Sequence, residues 1–227
     1  MIKLFFVCTL ALCAMLIPTR IVQAATVELP QPEREGTLTV ERTIEDRRSV
    51  RSYVPGSLAL EEVGQLLWSA QGITEERRGF RAAPSAGALY PLTLYLVAGE
   101  VEGLEAGVWR YLPAQHAIER VVAGDVRENL SNAALRQDSL ASAQVTLAIA
   151  ADYDITAMRY GPRAERYVHI EVGHVGQNIY LQAESLGLGT VAIGAFDDNA
   201  VAGVLGIPEN ESPLYLMPVG LKAGSGE

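Results

Sequence analysis

The segment with the most evident chemistry is Arg47-Arg48-Ser49-Val50-Arg51, which places three guanidinium groups and a hydroxyl close together. Guanidinium groups bind phosphate oxygens through paired hydrogen bonds, and a serine hydroxyl adds a further donor. The segment stands just before the first strongly amphipathic stretch of an otherwise acidic chain. It therefore predicts a phosphate site, although the residues alone leave a solvated surface cluster open.

A second candidate is a run of small residues between two prolines, Pro84-Ser85-Ala86-Gly87-Ala88-Leu89-Tyr90-Pro91. Small side chains let a backbone approach a flat ligand closely, and prolines restrict the shape of a loop. The strand-like sequence Leu92–Ala98 follows directly. The run is either a ligand-binding loop or an ordinary connection before a strand.

The remaining sequence patterns give weaker indications of a functional site. The segment from Gly187 to Gly194 contains the glycines of a dinucleotide fingerprint, but a helix precedes them and a strand follows, the reverse of the Rossmann order. Gly194 remains a candidate ligand-binding residue because it ends a predicted buried strand, and ligands often lie at the carboxyl ends of such strands. Glu171 and His174 share one helix face, but a carboxylate-bridged metal site needs more ligands, so no metal site is predicted. A G-x-S-x-G elbow is absent from the sequence, which disfavours a serine hydrolase.

Composition excludes several classes of protein. With 227 residues, 49% of them hydrophobic and 20% charged, the chain is too short for three domains and too apolar for a disordered protein. Its formal net charge of −9 disfavours a nucleic-acid partner, because an acidic surface repels the phosphate backbone.

Residues 1–24 are predicted to be a secretory signal peptide. An uncharged stretch from Leu4 to Ile17 is followed by Val22-Gln23-Ala24, which fits a cleavage site. The stretch is shorter than the ~20 residues that span a bilayer, which favours a cleaved, exported protein (periplasmic or secreted) without a stable membrane anchor over an uncleaved anchor. A lipoprotein signal would use Cys13, but Leu12 occupies the position of an expected small residue.

The mature chain that this leaves has no cysteine, since Cys8 and Cys13 both lie in the signal. Residues 25–39 are polar and without periodicity, and they are predicted to be a flexible arm. Residues 40–227 are predicted to form one domain.

Helices and strands are mixed along this domain without strict alternation, which favours an α+β fold. A long helix is predicted at Arg163–Leu186, closed by Gly187, and a shorter one at Leu60–Gln71 with Ser57 as its N-cap. The remaining predicted elements are strands at Leu92–Ala98, Val145–Ala151, Thr190–Ala195 and Leu214–Val219, a hairpin of Gly107–Tyr111 with Ile118–Val122, and helices at Asp125–Leu135 and Asp197–Leu205.

Taken in order, these segments resemble the FMN-dependent nitroreductase superfamily, and within it the SagB/ThcOx-type dehydrogenase branch that includes thiazoline and oxazoline oxidases. The resemblance covers about Ile44 to Lys222. Five segments carry it: RRSVRSY (47–53), PSAGALYP (84–91), RYGPRAERYVHIEVGHVGQNIYLQAESLGLG (159–189), VAIGAF (191–196) and PLYLMPVGLK (213–222). It implies a central, mostly antiparallel sheet flanked by helices, FMN as cofactor, and an intertwined homodimer with both active sites at the interface.

The resemblance also implies roles for single residues. Arg47 and Ser49, with Arg48 beside them, would bind the FMN phosphate, which Lys222 would approach from the last strand. Arg51 would lie near the pyrimidine edge of the flavin ring, where a cation stabilises the charge that develops on reduction.

On the ring itself, Pro84, Ser85 and Ala86 would pack from the partner subunit. Ile193 and Gly194 would place a backbone N–H near N5, the atom that accepts hydride. The implied reaction passes two electrons from a reduced donor through FMN to a small organic acceptor.

One position departs from the pattern. Azoline-oxidising members often carry a Lys-Tyr pair before the long helix, and this chain has Arg159-Tyr160. An arginine stays protonated and cannot act as a general base as a lysine can. Tyr160 is therefore the candidate proton donor or acceptor, unless it only packs at the helix entry. Azoline dehydrogenation on a peptide or heterocycle stays an alternative, as does a non-catalytic exported flavin-binding protein, since nicotinamide donors are scarce outside the cytoplasm.

Overall fold

Residues 25–223 are described in the computed structural model of the chain. The predicted signal peptide, residues 1–24, lies outside this range. The strands in it are β1 (Thr26–Glu28), β2 (Ile73–Glu75), β3 (Phe80–Arg81), β4 (Leu92–Ala98), β5 (Gly107–Leu112), β6 (Ala117–Ala123), β7 (Val145–Ala151), β8 (Leu188–Thr190) and β9 (Ser212–Leu221).

Seven of these strands form one sheet in the spatial order β1-β6-β5-β4-β7-β9-β8, and each neighbouring pair is antiparallel. The hairpin β2-β3 stands apart from it. The helices are α1 (Val40–Asp46), α2 (Leu60–Gln71), α3 (Arg127–Ala133), α4 (Asp138–Ser142), α5 (Tyr153–Tyr160), α6 (Ala164–Ser185) and α7 (Asp198–Leu205), with 3₁₀ turns at Ala86–Ala88 and Gly161–Arg163.

Helices cover both faces of the sheet. Leu94 and Leu96 of β4 join the core beneath α2 and α6, whereas Tyr95 and Val97 point into the core beneath α3, α4 and α7. Alternate residues of a strand face opposite sides, so a central strand buried on both sides reads as an unbroken apolar run. This explains why β4 and β7 are so evident in the sequence. The predicted α+β fold with an antiparallel sheet between helices is confirmed.

The long helix is confirmed as well. Val168, Val172, Val175, Ile179 and Ala183 of α6 are all buried, as their spacing predicts. Gly187, just past the helix, has the positive φ of 73° that suits the end of a helix. α6 runs across the sheet. The basic segment 47–51 lies beside its C-terminal half, and the small-residue loop 84–91 lies beside its N-terminal half.

Three local predictions are wrong. The first is Ser57 as the N-cap of α2, because Ser57 lies outside the helix. The N-cap is Ala59, whose N–H donates to the Glu62 carboxylate at 2.9 Å. The strand predicted at Thr190–Ala195 ends at Thr190, and only a single bridge between Ile193 and Leu216 continues it.

The third wrong prediction is that residues 25–39 form a flexible arm without regular structure. Thr26–Glu28 pairs with β6 as an edge strand, and Leu29 behind it is buried. Three residues are too few to show a period in sequence, so a strand of this length leaves no pattern. Between residues 25 and 223, no helix has the length and apolar character needed to cross a membrane.

Candidate active site

The basic segment runs from the end of α1 along the edge of the sheet. The Val50 N–H donates to the Thr190 carbonyl at 2.8 Å, and Ser49 forms a parallel bridge with Thr190 of β8. Arg47 ends α1, where its N–H donates to the Thr43 carbonyl at 3.0 Å. These backbone bonds fix the segment beside the C-terminal half of α6.

Tyr180 of α6 connects this segment to the chain after β8. Its hydroxyl accepts a hydrogen bond from the Ala192 N–H at 2.9 Å and lies 3.0 Å from Ser49 Oγ. The Arg47 guanidinium carbon lies 5.1 Å from the centre of its ring. Sequence reasoning missed Tyr180. The available signal was its place next to Ile179 at the border of the apolar stripe, from which an aromatic hydroxyl can reach polar groups.

Lys222 reaches the same place from the end of β9. Its Nζ lies 2.9 Å from Glu184 Oε1, one turn of α6 beyond Tyr180. The segments are close because Gly189 has no side chain: a Cβ there would lie 2.7 Å from Val50 Cγ1 and 3.0 Å from Lys222 Cγ. We call Arg47, Ser49, Tyr180 and Lys222 the basic end of the site.

The cations of this region differ in how far they are already engaged. Arg48 folds back onto α1 and donates to the Glu45 and Arg47 carbonyls at 2.7 and 2.8 Å. Among the ion pairs of residues 25–223, neither Arg47 nor Arg51 has a carboxylate partner. The uncompensated Arg47 guanidinium group, the Lys222 ammonium group and the Ser49 hydroxyl are a donor set that fits a phosphate monoester.

The chain beyond β8 offers a backbone donor at Gly194. The Ile193 N–H donates to the Leu216 carbonyl at 2.9 Å and is therefore used within the fold. Gly194 is exposed, and no backbone hydrogen bond in the described part of the chain uses its N–H. Of the two residues predicted to present a backbone N–H, Gly194 is the one that a ligand can reach.

The small-residue loop 84–91 has a strained backbone. Ala88 and Tyr90 have φ values of 54° and 52°, in the left-handed region that side chains disfavour. Ser85 Oγ accepts from the Tyr90 N–H at 2.9 Å and closes the loop on itself. Such a backbone persists only where its surroundings hold it firmly.

The loop lies on the end of α5. A Cβ on Gly87 would come within 2.8 Å of the Tyr160 hydroxyl and 2.9 Å of Arg159 Nη1, and the positive φ of 65° at this position favours glycine. Tyr160 also packs edge-on against Tyr167 of α6, with ring centres 4.9 Å apart. The structure thus brings Pro84, Ser85 and Ala86 together with Tyr160, and we call this loop with Arg159 and Tyr160 the loop end.

Beneath the loop end lies Glu171 of α6, only 2% exposed. Burial raises the pKa of its carboxyl to about 6, although nearby Ser85, Gln71 and Arg81 favour the ionised form. Burial also lowers the pKa of the Arg81 guanidinium. From the sequence, Glu171 was considered only as a metal ligand.

The two ends are separate within one chain. Glu171, under the loop end, and Tyr180, at the basic end, are about 14 Å apart along α6 at ~1.5 Å of rise per residue. The structure therefore brings Arg47, Ser49 and Lys222 together, and separately Pro84, Ser85, Ala86 and Tyr160, but it does not bring the two groups together in one chain.

Comparison with known proteins identifies the family of this chain. The profile of the nitroreductase family matches residues 44–221. A nitroreductase homologue of Methanocaldococcus jannaschii is 48% identical over 197 residues, which are 87% of this chain and 98% of that protein. The microcin B17-processing protein McbC of Escherichia coli is 27% identical over 158 residues, and the match spans 67% of this chain but only 58% of that protein.

Among solved structures, a nitroreductase homologue from Ralstonia eutropha JMP134 superposes with a TM-score of 0.78 at 27% identity, covering 88% of this chain and 90% of that one. Fold, the order of the site segments and the profile match lead to one conclusion: the chain belongs to the nitroreductase family.

Proposed function

We propose that this member of an oxidoreductase family uses FMN to pass two electrons from a reduced donor to a small organic acceptor. We further propose that it works as a homodimer in which each cofactor lies between the basic end of one chain and the loop end of the other. Export through the predicted signal peptide belongs to the same proposal.

The observation that carries the proposal is the convergence of Arg47, Ser49, Tyr180 and Lys222 around β8. This donor set fits a terminal phosphate, which FMN has. The neighbouring glycines have the wrong order for a dinucleotide fold, which favours a mononucleotide.

FMN, when bound, supplies the two-electron chemistry. Arg47 and Ser49 hold the phosphate, and Tyr180 keeps Ser49 in place through its hydroxyl. Arg51 would stabilise negative charge on the reduced flavin, and the exposed Gly194 N–H would be available to donate a hydrogen bond to it. At the loop end, Pro84 to Ala86 exclude water from the ring, and the Tyr160 hydroxyl holds or releases a proton beside the acceptor.

Azoline dehydrogenation is the second candidate function, because a protein described as processing microcin B17 is 27% identical to this chain. Arg159 argues against it, since an arginine does not serve as the general base that a lysine can provide. Incubating the purified enzyme with a thiazoline-containing peptide and looking for a loss of two mass units distinguishes the two functions. A non-catalytic flavin-binding protein would retain FMN yet turn over no donor.

The absorbance spectrum of the purified mature protein tests the proposal, followed by mass identification of the released chromophore. We expect bands near ~370 and ~450 nm, released FMN, and bleaching by a reduced donor with recovery by a nitroaromatic or quinone acceptor. A colourless protein that also does not bind added FMN would overturn the proposal.

A further inference from the structure

Glu171 is a buried acid whose surroundings come from four separate segments. Besides α6 itself, Gln71 at the end of α2, Arg81 of β3 and Ser85 of the loop end lie beside its carboxyl. Gln71 is only 1% exposed, and its Oε1 accepts from Arg81 Nη1 at 2.9 Å. The carboxyl therefore lies directly under the loop that is proposed to cover the cofactor.

Arg81 ties this group to the far part of the loop. Its backbone N–H donates to the Tyr90 hydroxyl at 3.1 Å, and its guanidinium carbon lies 4.7 Å from the centre of the Tyr90 ring. Tyr90 is one of the two non-glycine residues of the loop with positive φ. Through Ser85 on one side and Arg81 on the other, Glu171 is linked to both ends of the strained backbone.

Two buried polar atoms in this group have no partner. Glu171 Oε1 and Gln71 Nε2, an acceptor and a donor, form no hydrogen bond within residues 25–223. An unpaired buried polar atom is costly, and the cost is largest for a charged one. Movement of the loop would admit water to both atoms. Opening also removes the Ser85 contact that favours the ionised form, but burial is the larger cause of the raised pKa, so the ionised carboxylate gains more from loop opening than the neutral acid does.

We infer that Glu171 is a positioning residue for the loop end: its neutral carboxyl fixes the loop 84–91 from beneath, and the loop opens more readily when that carboxyl ionises. The inference depends on the proposed function only in linking the loop to the cofactor. The charged or titratable groups around Glu171 are Arg81 from β3, Tyr90 from the loop and Tyr111 from β5, the two tyrosines through Arg81.

The direction of the pH effect follows from proton linkage. The carboxyl binds its proton more tightly under the closed loop, where burial raises its pKa from the usual 4.5 to about 6, than it does in water. Loop opening is therefore rarest below pH 4.5, and it becomes more frequent by at most about 30-fold as the pH rises through 6.

Backbone hydrogen exchange of peptides that cover residues 84–91 tests this between pH 4.5 and 7.5, with rates corrected for intrinsic exchange. In the wild type we expect protection of these peptides to fall by about 10- to 30-fold as the pH rises and to stay below that of the hairpin β5-β6 at every pH, so that local opening and not global unfolding is measured. Glu171→Gln, which has the same shape but cannot ionise, should keep high protection at every pH. Glu165→Gln changes an exposed acid on the same helix and should behave as the wild type.

A flat profile in the wild type would overturn the inference without recourse to any variant, as would the same pH dependence in Glu171→Gln. The absorbance of the same samples keeps this result apart from the proposed function. A colourless protein whose loop protection depends on pH would refute FMN binding and support the role of Glu171. A yellow protein whose loop protection is the same at every pH would support FMN binding and refute the role of Glu171.

Discussion

The basic end and the loop end lie beside the two halves of helix α6, yet they are built in opposite ways. At the basic end, cationic side chains are exposed or half-buried, and backbone bonds to β8 hold them. At the loop end, the acid beneath the loop, Glu171, is buried and the backbone above it is strained. The difference indicates that the basic end is complete once an anion arrives, whereas the loop end must be held in shape before anything binds.

The largest effect is expected at the basic end, from Arg47→Ala. The substitution removes a charge-assisted contact to the phosphate, worth about 1.5–3 kcal/mol, so FMN should bind about 10- to 150-fold more weakly. Fluorescence titration of apoprotein with FMN measures the change. Arg42→Ala is the matched control, because Arg42 lies on the same helix and pairs with Asp46 at 2.5 Å. Equal affinities of Arg47→Ala and the wild type would remove Arg47 from the site.

The loop end should instead reveal itself in the pH dependence of stability. The folded state binds the Glu171 proton more tightly than the unfolded chain, since its pKa rises from the usual 4.5 to about 6. This stabilisation is complete below pH 4.5 and is lost as the pH rises through 6, about 2 kcal/mol in all. Urea unfolding of wild type and Glu171→Gln at pH 4.5 and 7 measures it as a difference. Parallel changes in the two proteins would contradict it.

Tyr180→Phe probes how the basic end is held. The substitution leaves the half-buried Ala192 N–H without its acceptor, so the free energy of unfolding should fall by about 1–1.5 kcal/mol. Ser49→Ala keeps the Ala192 bond and is the matched control, expected to lose less than half as much. If urea denaturation finds the two variants equally stable, Tyr180 does not connect the segments as described.

The smallest effects concern the pair of Lys222 and Glu184. Glu184 competes with the phosphate for the Lys222 ammonium group, so Glu184→Gln should tighten FMN binding about 2- to 5-fold, and Lys222→Met should weaken it by a similar factor. Isothermal titration calorimetry at low salt can resolve both. Changes of the same sign in the two variants would refute a competition between carboxylate and phosphate.

Sequence reasoning succeeded where one segment contains the whole signal. The stripe of α6 and the apolar runs of β4 and β7 are each local patterns, and the family resemblance placed them in order. It failed where a feature is made by several segments. The bond from Ala192 to Tyr180 and the group around Glu171 join residues far apart in the chain.

Backbone strain was also invisible in the sequence. Ala88 and Tyr90 adopt positive φ although neither is the glycine or asparagine that usually marks such a position. Tertiary contacts with α5, β3 and Glu171 impose that conformation, and no pattern within the loop sequence reports them.

The measurement that tests the central claim most directly is the flavin content of a mixed dimer. Arg47→Ala disables the basic end, and Ala86→Trp places a large ring where the loop end would cover the cofactor. Each variant alone should lose FMN. When the two are co-expressed with different tags and the doubly tagged dimer is isolated, one interface regains an intact basic end and an intact loop end, so about one FMN per dimer should return. A doubly tagged dimer without FMN, or failure of the two chains to form one, would contradict a site shared between subunits.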